Sequence, residues 1–196
     1  MKILFFLFSY LFGAIPAGYI LFRLTEKKDI RNYGSGNIGA TNMLRLTGWK
    51  KAVPVLIFDM TKGFLPIFLA MKFFPDPWTP IISGSLAILG HCFPVYIKFK
   101  GGKGVATTLG AYIALAVKPL LCVIVVFLII VAITRYISLG SLTAALSFPI
   151  FSLLFNKNIN IILFGFFVFL IIAIKHKKNI KQLISGTENK LGAKKI

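Results

Sequence analysis

The chain has 196 residues, 57% of them hydrophobic, and a formal net charge of +18 from 23 Lys and Arg against five Asp and Glu. A soluble domain of this size leaves roughly a third of its unfolded surface exposed and cannot hide so much apolar area, so a soluble globule is excluded and an integral membrane protein is indicated. The cations fall between apolar runs, as in cytoplasmic loops over anionic lipid, and a nucleic-acid partner is not expected.

The first apolar run covers residues 3–23. Its opening, MKILFFLFSYLFGAIPAG, has the build of a signal peptide, but apolar character continues through Phe22. That gives about 20 residues, enough to cross ~30 Å of hydrocarbon, so a retained helix is expected. The loop 24–51 follows. Within it, Arg31 to Asn42 reads RNYGSGNIGATN, with Arg45 beyond. Gly34, Gly36 and Gly39 match G-x-G-x-x-G, but no strand precedes them and a dinucleotide fold is rejected. The physical content survives: glycines let backbone N–H groups approach an anion, Ser35, Asn37, Thr41 and Asn42 add donors, and Arg45 is suited to bidentate phosphate contact. The alternative is a flexible polar loop.

The second span is expected at 52–72. It carries Asp59 and Lys62, spaced i, i+3 and a few turns below the cytoplasmic face, where ionisable residues are costly. They are read as a mutually neutralising pair, either a structural tie or a substrate contact. Pro75-Asp76-Pro77 makes a turn, and a third span is expected at 80–97. His91 is placed about two turns inside it, as a packing histidine or a catalytic one. The segment Gly101-Gly102-Lys103-Gly104 leads into the next apolar run, and the start of a helix attracts anions through unshared N–H groups and its dipole. Lys103 adds full charge; Lys98 and Lys100 either do the same or snorkel to headgroups. This is not a Walker A loop.

Further spans are expected at 105–117, 119–134, 139–155 and 159–174, separated by Lys118-Pro119, by the loop 135–138 and by the polar turn Asn156-Lys157-Asn158. The run 105–117 is short, and the positive-inside rule arbitrates whether it stands alone. With seven spans, 18 Lys and Arg share one face and four the other; fusing 105–117 with its successor brings the count to 11 against 10. Seven transmembrane helices are therefore expected, with the N-terminus outside and the C-terminus cytoplasmic, as one integral membrane domain over 1–196. The short run is read as a tilted, thinned or partly re-entrant helix. Cys92 and Cys122 lie in apolar runs without metal spacing, so no metal site and no disulfide are expected. The tail 175–196 holds His176 and Asn179, three apart and so on one helical face, and Glu188, read as an internal counter-ion that fixes a basic tail. A histidine among cations is biased toward neutral, which suits a base or a hydrogen-bond partner.

Together GSGNIGATN, GHCFPVYIKFKGGKGVAT and KHKKNIKQLISGTENK, with FDMTKG around Asp59 and Lys62, resemble the signature motifs of the bacterial acyl-phosphate-dependent glycerol-3-phosphate acyltransferases. The resemblance spans essentially the whole chain. Lys175, where the family commonly has Arg, and Lys181-Gln182-Leu183 are mild departures. The resemblance implies acyl transfer from a fatty acyl phosphate to the 1-hydroxyl of sn-glycerol 3-phosphate, giving lysophosphatidic acid and phosphate in phospholipid synthesis. It implies no cofactor, a bacterial inner-membrane location with the active-site loops near 27–51, 98–104 and 175–196 in the cytoplasm, and lipid surroundings; the sequence does not fix the oligomeric state, and a monomer is favoured. Ser35, His176 and Asn179 are expected in catalysis. Gly36, Asn37, Thr41, Asn42, Arg45, Gly101, Gly102, Lys103 and Gly104 are expected to bind substrate, with Asp59, Lys62, His91 and Glu188 in support. Lys103 and its glycines are assigned to glycerol phosphate and Arg45 with the first loop to the donor phosphate, or the reverse. The base is His176 or a substrate phosphate oxygen. The H-x-x-x-x-D pattern of acyl-CoA-using acyltransferases is absent: Tyr96 stands five residues after His91 and Lys181 five after His176. A phosphate-compound transporter is the rival, but it needs polar groups through the membrane depth, and here they gather at one face. A non-enzymatic scaffold leaves three donor-rich loops unexplained.

Overall fold

The computed structural model describes residues 1–155 and 157–192. Asn156, part of the expected polar turn, and residues 193–196 of the tail lie outside them. The described residues are helical with no strand, in two compact units, Met1–Leu115 and Ala116 onward.

The first unit holds α1 (Lys2–Ala14), α2 (Ala17–Glu26), α3 (Ala40–Thr47), α4 (Trp49–Phe73), α5 (Trp78–Cys92) and α6 (Val105–Leu115). The expected first span is broken at Ile15-Pro16. Proline has no N–H to continue the ladder, so the chain turns and restarts as α2. The expected third span is present as Trp78–Ile97, but its α-helix ends early. Pro94 disfavours helix before it, α5 stops at Cys92, and a 3₁₀ turn covers Val95–Ile97. His91 is therefore the penultimate residue of α5, while remaining about two turns inside the span Trp78–Ile97. The loop 24–51 is more ordered than expected: a 3₁₀ turn at Ile30–Asn32 precedes α3, which runs between Gly39 and Gly48 and carries Thr41, Asn42 and Arg45.

Helix α5 packs on α1 and α4, and α4 packs on α6. Without a hydrophobic drive between helices in lipid, small residues that let backbones approach set such crossings. At α4/α6 the approach is extreme: a Cβ on Gly63 would lie 1.8 Å from the Thr107 carbonyl oxygen, and one on Gly110 would lie 1.8 Å from that of Met60. A core cluster with Phe22, Ile30, Ile38, Met43, Val55 and Ile97 takes in residues of the first loop. At the other end, Asp76 accepts from the Trp78 and Thr79 N–H groups that open α5 and pairs with Lys2 at 2.7 Å. The Lys2 ammonium, with the Thr79 hydroxyl and N–H, holds its carboxyl well below the usual carboxylate range.

The second unit holds α7 (Val117–Thr134), α8 (Ile137–Leu154), α9 (Ile159–Lys175) and α10 (Lys177–Ile184). The break between α6 and α7 falls at Ala116, just before the expected Lys118-Pro119. Helix α8 packs against both α7 and α9 around Phe148, Phe164 and Val168. Helix α10 turns 66° away from α9. The tail returns to the α7–α8 turn, where the Leu191 N–H donates to the Arg135 carbonyl at 2.7 Å and Arg135 donates to the Leu191 carbonyl at 2.8 Å.

Five helical stretches among the described residues are long and apolar enough to cross a membrane, and six if the bent α9–α10 pair counts as one. Helix α6, at 11 residues, rises about 16 Å and is well short of a full crossing.

Candidate functional site

The first loop is built around Asn42. Its side chain is 1% exposed, yet every polar atom of its amide is used. Oδ1 accepts from the Ser35 N–H at 2.9 Å; Nδ2 donates to the carbonyls of Asn37 at 2.8 Å and Tyr33 at 3.1 Å. Gly34, at φ +62°, must be glycine, because a Cβ there would lie 2.2 Å from Asn42 Oδ1. Asn42 thus holds the loop from within α3, while Ser35, Gly36, Asn37 and Thr41 are half-buried and Arg45 is exposed on the same helix.

Asp29 and Arg31 tie this loop down. Arg31 donates to both Asp29 carboxylate oxygens, at 2.7–3.1 Å, and to the Ile97 carbonyl at 3.3 Å, with its guanidinium over the Tyr19 ring. Hydrogen bonds from Arg31 hold the Asp29 carboxyl below its ordinary value and push the Arg31 guanidinium further up. Because Ile97 lies within the second signature segment, immediately before the loop 98–104, this arginine ties the first predicted loop to the second. Sequence reasoning gave neither residue a role; the D-x-R spacing, with a carboxylate able to accept from the backbone two residues on, was the available signal.

The segment after Ile97 folds back on His91. Lys98 and Phe99 both adopt left-handed backbone conformations (φ 57° and 60°). The Gly102 N–H then donates to the His91 carbonyl at 3.0 Å. A Cβ on Gly101 would lie 2.3 Å from that same carbonyl oxygen, and one on Gly102 would lie 2.1 Å from His91 Nε2. Gly101 to Gly104 are therefore glycines of close approach, and they deliver half-buried Lys103 to the start of α6, whose first N–H groups have no intrahelical partner.

Beneath them lie Asp59 and Lys62 on α4, 2% and 0% exposed. Lys62 Nζ is 2.7 Å from Asp59 Oδ1, 2.9 Å from the Ile15 carbonyl at the α1–α2 break, which also accepts from the Ala17 N–H, and 3.1 Å from His91 Nδ1. The predicted supporting residues Asp59, Lys62 and His91 thus form one buried chain ending at the glycine segment.

In the second unit, His176 is buried at the α9–α10 bend, with Nδ1 2.8 Å from the Ile172 carbonyl. A carbonyl only accepts, so Nδ1 carries the proton and, in the neutral ring, Nε2 carries the lone pair. Asn179, on α10, donates to both oxygens of Glu188 at 2.8 and 3.0 Å, so Glu188 orients the Asn179 amide.

A family model for glycerol-3-phosphate acyltransferase matches residues 3–186. A glycerol-3-phosphate acyltransferase of Syntrophotalea carbinolica is 44% identical over 94% of this chain and 95% of its own. One from Brucella anthropi is 46% identical over 95% and 92%. Two crystal structures of PlsY (YgiH), an integral membrane glycerol 3-phosphate acyltransferase, share the fold. The glycerol 3-phosphate form has a TM-score of 0.93 at 38% identity, covering 97% of this chain and 96% of that one. The lysophosphatidic acid form has 0.90 at 37%, covering 97% and 95%. With the fold and nearly the full length in agreement, the chain belongs to the glycerol-3-phosphate acyltransferase family and is an acyltransferase.

Proposed function

We propose that the chain transfers the acyl group of a fatty acyl phosphate to the 1-hydroxyl of sn-glycerol 3-phosphate, releasing lysophosphatidic acid and inorganic phosphate. The main support is the agreement over nearly the whole chain with a solved acyltransferase in its glycerol 3-phosphate form, taken with the two anion-suited segments of the first unit. Both substrates carry a phosphate, so two such sites are wanted.

An acyl phosphate is a mixed anhydride and is already activated. The hydroxyl oxygen attacks the acyl carbon, the bond from that carbon to the phosphate oxygen breaks, and phosphate leaves with the electron pair. The hydroxyl proton passes to His176 Nε2 or to a substrate phosphate oxygen. The protein holds the reactants together and stabilises charge on the acyl oxygen and the leaving phosphate. Lys103 and the N–H groups around Gly101, Gly102 and Gly104 take glycerol phosphate. Arg45 and the loop of Ser35, Gly36, Asn37 and Thr41 take the donor phosphate, with Asn42 holding that loop. Ser35 and His176 are assigned to the attacking hydroxyl, and Asn179, oriented by Glu188, supports the reaction; these roles rest on the resemblance. The donor's hydrocarbon tail enters laterally from lipid, a reading supported by a mostly apolar groove of about 250 Å³ lined by Ile57, Met60, Thr61, Phe64, Gly110 and Ile113. The chain works as a monomer in the bacterial cytoplasmic membrane, its loops facing the cytoplasm.

The test is steady-state kinetics on purified protein in detergent, with palmitoyl phosphate and glycerol 3-phosphate. Lys103→Ala is expected to raise KM for glycerol 3-phosphate about tenfold or more, the loss of one charge-assisted contact. Ser35→Ala and His176→Ala are expected to lower kcat by about a hundredfold or more. Near-normal turnover in both of the latter, or an unchanged KM in the former, contradicts the assignments.

A further inference from the structure

Lys62 ends in an ammonium with three protons to give and nothing to accept. Its three near neighbours are Asp59 Oδ1, the Ile15 carbonyl oxygen and His91 Nδ1. Nζ donates to the Ile15 carbonyl, while its contact with Asp59 Oδ1 is an ion pair without hydrogen-bond geometry. In the contact with His91 the ammonium can only be the donor, so Nδ1 must present a lone pair and the imidazole keeps its own proton on Nε2. An imidazolium at this place would set two N–H donors face to face at 3.1 Å. It would also leave one buried carboxylate to balance two buried cations. Asp59 Oδ1 does not rescue that arrangement: it is 3.5 Å from Nδ1, beyond ordinary hydrogen-bond length.

The other edge of the ring is equally constrained. Nε2 abuts Gly102, at a place no Cβ fits, while the Gly102 N–H is bound to the carbonyl of His91 itself. Ring and backbone of one residue thus fix the segment that carries Lys103. A lone pair on Nε2 would place negative character against an anion cradle; an N–H places positive character there.

We infer that His91 is a positioning residue for the Gly101–Gly104 segment, held as its Nε2–H tautomer by Lys62, with that N–H edge turned toward the segment that binds substrate phosphate. The role in phosphate binding rests on the reading given under the proposed function; the tautomer does not.

The chain has two histidines, so an imidazole ¹⁵N spectrum of histidine-labelled protein in detergent is tractable, with a His176→Gln sample assigning the His91 signals. At pH 7 the expected His91 pattern is protonated Nε2 and unprotonated Nδ1. A protonated Nδ1, alone or as imidazolium, overturns the inference. The paired variant Asp59→Leu/Lys62→Met removes both buried charges together and leaves neither unpaired. It is expected to fold, to show mixed His91 tautomers, and to raise KM for glycerol 3-phosphate about tenfold, roughly one hydrogen bond's worth, with kcat little changed. An unchanged tautomer and KM, or equal loss in kcat and KM, assigns the chain of residues to scaffolding alone and overturns the proposal. Two single variants keep the question open to test if the pair fails to fold. His91→Gln places an amide near the Nε2 position and is expected to retain KM; His91→Asn reaches only the Nδ1 position and is expected to raise it. The reverse order overturns the inference. Wild-type protein without glycerol-phosphate-dependent acyl transfer would instead remove the functional reading, and the spectrum would still decide the tautomer.

Discussion

Asn42 and Asp29 show how much of the first loop is held by single side chains. Asn42→Ala would strand the Ser35 N–H and the Tyr33 and Asn37 carbonyls. A loss of about 2 kcal/mol or more is expected, together with a large fall in kcat as Ser35 is released. Asn42→Asp keeps the acceptor but sets a carboxylate against two carbonyls, and is expected to be no better. Thermal unfolding with parallel turnover measurements checks both; a wild-type midpoint in either variant contradicts the loop's account. For Asp29 the sign is fixed by its depressed folded pKa. The carboxylate form is favoured in the folded state, so its contribution is whole above the ordinary value near 3.9 and is lost as pH falls below it. Asp29→Asn is expected to lower stability near neutral pH and to flatten the fall in unfolding midpoint between about pH 4 and pH 2. An unchanged acid profile would show that the Asp29–Arg31 clamp contributes nothing. Residue types were legible in the sequence: Ser35, Arg45, Lys103 and His176 stood out by chemistry and motif. Partnerships were not. That Asn42 turns inward to the backbone, and that Arg31 reaches Ile97, depends on chain segments meeting at a distance in sequence.

The helices followed the sequence where local chemistry decides and departed from it where partners decide. Apolar runs located α4, α7, α8 and α9 within a few residues. Proline explains both departures in the first unit, the break at Pro16 and the early end of α5 before Pro94. Each was visible as a residue, but an apolar count over a whole window outweighed it. The broken α1–α2 joint also supplies the Ile15 carbonyl that receives Lys62, a pairing no single segment announces. Helix-helix spacing was not legible at all, since a glycine in an apolar run does not reveal what faces it. Gly63 and Gly110 set the α4/α6 distance, and any Cβ there meets backbone. Gly110→Val is expected to cost more than the 1–3 kcal/mol of ordinary overpacking, since backbone cannot yield as a side chain can. It should appear as loss of the monodisperse species on size exclusion. Ile57→Ala, at an exposed position on α4, is expected to leave that species intact. A well-folded Gly110→Val protein would contradict the close crossing.

At the scale of the molecule, charge does what packing does not. Within the first unit the Lys2–Asp76 pair marks one end and the Arg31–Ile97 contact the other, and within the second unit the tail meets Arg135. The proposed orientation rests on the positive-inside count. Single cysteines at Lys28 and Lys178 are expected to react with an impermeant maleimide only from the cytoplasmic side, and one at Lys72 only from the outside, in a Cys92→Ala/Cys122→Ala background. The opposite pattern would reverse the topology. The family was legible from three long motifs in order, because anion-binding loops demand particular residues. The acyl donor is less directly written, since a glycine-lysine cradle fits any phosphate. The most direct measurement therefore supplies palmitoyl phosphate and, in parallel, palmitoyl-CoA to purified protein with and without glycerol 3-phosphate. Phosphate release and lysophosphatidic acid formation are expected from the acyl phosphate only when glycerol 3-phosphate is present, with the CoA ester inert. Equal or better transfer from the CoA ester, or no transfer from the acyl phosphate by folded protein, would contradict the account.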